Sequence, residues 1–119
     1  MAKKNLQKNP KLNETDLQNL IVQYLEYKQI VAWRNNRVAF YDPIQKCVRY
    51  GKGVTKPGQP DILGAIPKEG RMLAIETKGK NEKVRAKQES TMDKLEKAGA
   101  LVIVARSLAD VTQYFGGEN

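Results

Sequence analysis

Between Leu17 and Leu25 the apolar side chains fall at Leu17, Leu20, Ile21, Tyr24 and Leu25, the spacing that lays them along one side of a helix. Asn13 offers an N-cap, and Glu14 and Asp16 stand in the first turn, where the helix dipole favours acidic groups. The helix is expected to end near Lys28. Ile30 to Asn35 and Arg37 to Asp42 are rich in β-branched and aromatic residues and read as two strands. Asn35-Asn36 would be their hairpin turn, and Asp42-Pro43 would end the second strand. Glycines and prolines break the chain from Gly51 to Pro60 into an exposed loop. Asp61 to Ile66 and Arg71 to Lys78 follow as a second pair of strands, joined by the turn Pro67-Lys-Glu-Gly70.

A helix from about Asn81 to Lys97 would carry Val84, Met92, Leu95 and Ala98 on one stripe, with Gly99 as its stop. Leu101 to Ala105 is apolar throughout, as buried strands of parallel sheets usually are. Ser107 is expected to cap a last short helix ending near Phe115. The order α-β-β-β-β-α-β-α predicts an α/β fold, α+β-like in its strand pairs, with a mixed central sheet flanked by helices. Residues 1–12 read as a flexible basic arm and residues 13–119 as one domain, which suits a chain of 119 residues.

Charge and composition narrow the function. The formal net charge is +8, and it is uneven. Residues 1–60 hold eleven Lys and Arg against four Asp and Glu, whereas residues 61–119 hold ten against nine. Such a local excess is the footprint of a polyanionic partner. There is no histidine and one cysteine, Cys47. Ser-His-Asp and Cys-His catalysis, HNH-type nuclease chemistry and a zinc ribbon are therefore excluded. The single cysteine and the lack of an apolar stretch after the first lysines make a reducing cytoplasm the expected compartment.

The remaining chemistry concentrates in Pro60-Asp61 and Glu76-Thr77-Lys78. Side chains alternate along a strand, so Glu76 and Lys78 share a face, and Asp61 opens the neighbouring strand close to it. Two carboxylates and an ammonium at one sheet edge suit phosphodiester hydrolysis assisted by Mg²⁺ or Mn²⁺. Asp61 and Glu76 would hold the cation, with the carbonyl of Thr77 as a further oxygen ligand. Lys78 would orient water or stabilise charge on the phosphoryl oxygens. A strand with Glu-x-Lys is by itself more often a solvated, salt-bridged face. Two helix residues strengthen the functional reading. Gln88 interrupts the apolar stripe of the second helix, and Glu14 opens the inward stripe of the first.

These residues resemble the PD-(D/E)xK nuclease superfamily, and within it the virus-type replication-repair nuclease (VRR-NUC) family. The resemblance is carried by Asn13-Glu-Thr-Asp-Leu-Gln18, Gly58-Gln-Pro-Asp-Ile-Leu-Gly64, Ile75-Glu-Thr-Lys78, Gln88 and Ala98-Gly-Ala-Leu-Val-Ile-Val-Ala105. It implies a restriction-endonuclease-like core in a metal-dependent DNA endonuclease, with Glu14, Asp61 and Glu76 as metal-side carboxylates. Lys78 would be the catalytic lysine and Gln88 a supporting residue. Asn13 departs from the serine more usual at that position, but it also caps. Stand-alone members of the family resemble Holliday-junction resolvases, which implies a homodimer acting on branched DNA; a compact nuclease without targeting signals fits a bacterial, phage or plasmid setting of replication and repair.

On that reading Arg34, Arg37, Lys46, Arg49 and Lys52, with the Lys3–Lys11 arm, would contact phosphates. Trp33, Phe40 and Tyr41 are expected to serve core packing ahead of base stacking. Two alternatives stay open: a non-catalytic nucleic-acid-binding module, and a restriction-type or exonucleolytic nuclease of the same superfamily.

Overall fold

The fold is seen in a computed structural model that describes residues 12–35, 39–50 and 58–116. Helix α1 spans Glu14–Tyr27, and the Asn13 side chain caps it by accepting from the Asp16 amide at 2.7 Å. Strands β1 (Val31–Arg34), β4 (Ile62–Ala65), β5 (Met72–Thr77) and β6 (Leu101–Ala105) form one sheet in the order β1-β4-β5-β6. The first two pairings are antiparallel and the last is parallel. The sheet is therefore mixed, as expected. Helix α2 (Ala86–Lys97) makes the crossover from β5 to β6, and the short α3 (Ala109–Thr112) follows.

The anticipated pairing of Ile30–Asn35 with Arg37–Asp42 is not the one observed, and Asn36 of its expected turn lies outside the described residues. β1 pairs with β4, Trp33 opposite Leu63, while β2 (Ala39–Asp42) pairs with an additional strand, β3 (Cys47–Tyr50). Asp42 ends β2, as expected, and with Pro43 it opens the turn of that ribbon. The Asp42 carboxylate accepts from the amides of Ile44 and Gln45, and the Lys46 amide closes back on the Asp42 carbonyl. An aspartate followed by proline stabilises such a turn as readily as it ends a strand. β2 and β3 form a separate two-stranded sheet.

Other boundaries also move. α2 begins at Ala86, five residues later than expected, because the Gln88 side chain accepts from the Arg85 amide and fixes the first turn there. Val84 consequently precedes the helix. Gly99, at φ 110°, stops it as expected. α3 is a single turn whose N-cap is Leu108, and Ser107 contributes its carbonyl to the Asp110 amide in place of a side-chain cap. β6 lies at the sheet edge and is only half-buried, although it is apolar throughout. Hydrophobicity without alternation did not distinguish an edge strand from a central one.

The core sits on one face of the sheet. Leu17, Ile21 and Leu25 from α1 pack on Ile62, Leu73, Ile75 and Ile103, with Val111 of α3 beside them. The opposite face is covered unevenly. Met92 of α2 is buried where the helix packs on β6, and Gln88 reaches Glu76 of β5, while Val31 and Trp33 of β1 are exposed. Trp33 and Tyr41, expected in the core, both lie in solvent.

Gly64 explains why β1 and β4 can pair. A Cβ there would lie 2.4 Å from the Val31 carbonyl oxygen, a backbone atom that cannot swing aside. Gly64→Ala is expected to destabilise the fold by about 2–3 kcal/mol, the cost of overpacking a tight site. The shift should appear in the urea midpoint, and an unchanged midpoint would contradict the close approach.

Candidate active site

Asp61 and Glu76 come together where β4 begins and β5 ends. Asp61 stands one position outside the Ile62–Ile75 pair, and its Oδ2 accepts from both the amide and the hydroxyl of Thr77, at 3.0 and 2.8 Å. The segment before it is held by Asn35, whose amide donates to the Asp61 carbonyl and whose side chain donates to the Pro60 carbonyl. The residue read as a hairpin turn thus anchors Pro60-Asp61 to the end of β1.

Thr77 is in turn held from α1. The Gln18 side-chain amide donates to the Thr77 hydroxyl at 3.0 Å, and Arg34 Nε donates to Gln18 Oε1 at 3.1 Å. Arg34, Gln18, Thr77 and Asp61 form one hydrogen-bonded series, in which each bond polarises the next. Gln18 is buried and was not given a role from the sequence. It lies beside Leu17 and one turn before Ile21, on the apolar side of α1. A polar residue on that stripe is the same signal that singled out Gln88.

Glu76 and Lys78 share a face, as alternation required, and both are only 3% exposed. Lys78 Nζ lies 3.8 Å from Glu76 Oε2, which also accepts from Gln88 Nε2 at 2.6 Å. Glu76 Oε1 is buried without a hydrogen-bond partner. Burial, and then the negative charge of Asp61, push the Glu76 carboxyl up to about 7; Lys78 opposes the shift, while Glu14 and Glu82 add to it. A buried acid surrounded by other acids is stable only with a proton or a cation close by.

Glu82 belongs to the same charge cluster and was missed. Its carboxylate accepts from the Gly79 amide at 3.0 Å and stands 3.5 Å from Lys78 Nζ. Glu14 meets it from α1. Partial loss of hydration, followed by the hydrogen bond to Glu82, raises the Glu14 carboxyl, whereas the Gly79 amide and then Glu14 lower that of Glu82. The loop carrying Glu82 is held by Arg106, whose Nη1 donates to the carbonyls of Gly79 and Glu82, each at 2.6 Å. The helix expected from about Asn81 would have included Glu82. Only the late start of α2 places it in a loop that turns back to Lys78.

The phosphate-contact candidates fare differently. Arg34 is turned toward α1, where Gln18 and Asn19 accept from it. Lys46 is exposed in the turn between β2 and β3. Arg37 and Lys52, the side chains of Arg49 and Phe40, and the Lys3–Lys11 arm lie outside the described residues. Cys47 is exposed and free.

The donors at the strand ends are all oxygen atoms: the carboxylates of Asp61 and Glu76, with the Thr77 carbonyl on the same stretch of β5. Such donors suit a hard divalent cation. Among the described residues no three acidic or cysteine side chains form a metal cage by themselves. A cation here would take two carboxylates, a backbone oxygen and water. No helix among the described residues is long and apolar enough to cross a membrane.

The VRR-NUC domain profile matches residues 8–109 of this chain. Among solved structures, a VRR_NUC domain protein superposes with a TM-score of 0.55 at 19% identity, covering 89% of this chain and 87% of that one. At that identity the likeness concerns the fold. No curated protein matches the chain.

Proposed function

Because the chain belongs to the VRR-NUC family, and so carries a nuclease-type domain, we propose that it is a divalent-metal-dependent DNA endonuclease that prefers branched DNA. The observation that carries this reading is the buried Glu76, with one oxygen lacking a partner and its carboxyl pushed up to about 7, beside Asp61 and Lys78. A purely structural Glu-Lys pair does not require a second acid next to it.

The residues fit Mg²⁺ or Mn²⁺. Asp61, Glu76 and the Thr77 carbonyl would hold the ion, and Glu14 would support it from α1. When bound, such a cation would supply charge neutralisation at the phosphate and acidity to a water beside it. The chain's own groups do the rest. Thr77 fixes Asp61 Oδ2 through two hydrogen bonds, and Gln88 fixes Glu76 Oε2. Lys78, held between Glu76 and Glu82, places a buried ammonium where negative charge grows on the phosphoryl oxygens. Removed from bulk water, that charge acts more strongly than it would at the surface.

A second copy of the chain belongs to this reading. One site cuts one strand, and a two-fold pair would offer two sites to the symmetric strands of a four-way junction. The lysines and arginines of residues 28–60 would supply phosphate contacts around it.

The direct test is cleavage of a labelled four-way junction, linear duplex, flap and single strand in Mg²⁺ or Mn²⁺, with a chelator as control. Symmetric, metal-dependent nicks in the junction are expected. Metal-dependent cutting confined to plain duplex would remove the preference for branches and leave the nuclease. DNA binding that is indifferent to metal, with nothing cut, would favour a non-catalytic binding module.

A further inference from the structure

β1 directs its residues alternately to the two faces of the sheet. Ala32 packs against the core and Arg34 bonds to α1; Val31 and Trp33 therefore point to the opposite face, at 65% and 52% exposure. The cross-strand partners continue that strip. Trp33 lies opposite Leu63, and Val31 opposite Ala65, which in turn lies opposite Met72. Met72 is 38% exposed. α2 packs on β6 and reaches β5 through Gln88, and the strip of Val31, Trp33 and Met72 on the β1–β4 side is exposed among the described residues.

This is also the face that carries Glu76, since Ala74, opposite Leu63, is two positions before it on β5. Trp33 is the diagonal neighbour of Asp61 across β1 and β4. Such neighbours stand about 7–8 Å apart. A phosphate held at Asp61 and Glu76 would bring the adjoining nucleotide onto this strip. A tryptophan face suits an unpaired base there, because stacking needs only the base's flat surface and tolerates any sequence. A base inside an intact duplex has both faces already covered.

We propose that Trp33 is a stacking platform for an unpaired nucleobase next to the scissile phosphate, which makes DNA with single-stranded character at the cut the preferred substrate class. The assignment rests on the nuclease reading for the position of the phosphate. It differs from the general basic attraction of the chain, which cannot distinguish paired from unpaired bases.

Trp33 is the sole tryptophan in the chain, so its emission reports the contact directly. The protein is titrated, with chelator present to prevent cutting, with a short single-stranded oligonucleotide, a flap and a blunt duplex. Saturable quenching by the single strand and the flap is expected, with much less by the duplex. Trp33→Ala should weaken binding to the single strand and the flap by about 5–100-fold, leave duplex binding within twofold, and keep the circular dichroism of the parent. Trp33→Phe should restore most of the affinity.

Equal single-strand affinity in Trp33→Ala, with emission unmoved by DNA, would overturn the platform even if metal-dependent cleavage is intact. Quenching and weakened binding in a protein that cuts nothing would uphold the platform and defeat the nuclease reading. Emission that follows protein concentration and not DNA, with Trp33→Ala changing the sedimentation coefficient, would assign the strip to a second copy of the chain and overturn the proposal.

Discussion

Lys78→Met is expected to lower the single-turnover rate of phosphodiester cleavage by about 10²–10³-fold while DNA binding stays within a few-fold of the parent. Methionine keeps most of the stem's volume in a site where the lysine is 3% exposed, so loss of charge is separated from loss of packing. The substitution leaves Glu76 without its nearest cation, at 3.8 Å. That carboxyl already stands near 7 and can take up a proton, which limits the damage to the fold. A rate within tenfold of the parent, measured at saturating metal, would remove Lys78 from the chemistry.

Glu76→Gln is expected to act on activity and stability in opposite directions. Cleavage should fall by at least about 10³-fold, since the variant loses a metal-side carboxylate together with the anchor for Gln88. Stability should rise above neutral pH. The parent carboxyl titrates at about 7 in the folded chain, against an ordinary value of 4.5. Between those values the folded chain keeps a proton that the unfolded chain has released. The stabilisation from this group is therefore complete below pH 4.5, declines as the pH rises, and is lost above 7. The gap corresponds to roughly 3 kcal/mol. Urea denaturation of the parent without metal should show that decline, and Glu76→Gln should flatten it. A parent whose stability is level between pH 5 and 8 would mean that Glu76 is better compensated than its surroundings indicate.

Local chemistry made part of this molecule legible in the sequence. Leu17, Ile21, Tyr24 and Leu25 of α1, the Asn13 cap and the Gly99 stop depend on neighbours within a turn, and each stands where its spacing placed it, whereas Leu20 lies at the margin of the stripe and is exposed. The hairpin of β4 and β5 and the shared face of Glu76 and Lys78 follow from alternation and a short turn. Gly58 and Gly64 were quoted only as parts of a motif. Their reason is steric: a Cβ on Gly58 would meet the Lys87 carbonyl oxygen at 2.6 Å, and one on Gly64 the Val31 carbonyl oxygen at 2.4 Å. Neither neighbour is close in sequence.

What escaped was the long-range pairing. Asn35-Asn36 satisfies the chemistry of a hairpin, yet β1 finds a better partner in β4, whose Gly64 admits it. Gln18 meets Thr77 across 59 positions, and no local pattern indicates such a contact. The place of Glu82 in the charge cluster and the bonds of Arg34 to α1 escaped for the same reason. Their roles depend on where α2 starts and on which face of β1 meets α1.

The position of β5 has a further consequence, in the order of synthesis. Its residues 73–77 and the Lys78 that follows are all buried, and the elements that bury them come from both sides of it in the sequence. α1 and β4 are made before it, but β6, whose Ala105 carbonyl receives the Lys78 amide, is made well after it. Until then a nascent chain leaving the ribosome shows an open, apolar strand edge to its neighbours, the kind of template on which chains aggregate. It also lacks the pairing that anchors Lys78. Ribosome-bound fragments stopped before Leu101 would therefore be both sticky and without the proposed site, which would be assembled only once β6 has been translated.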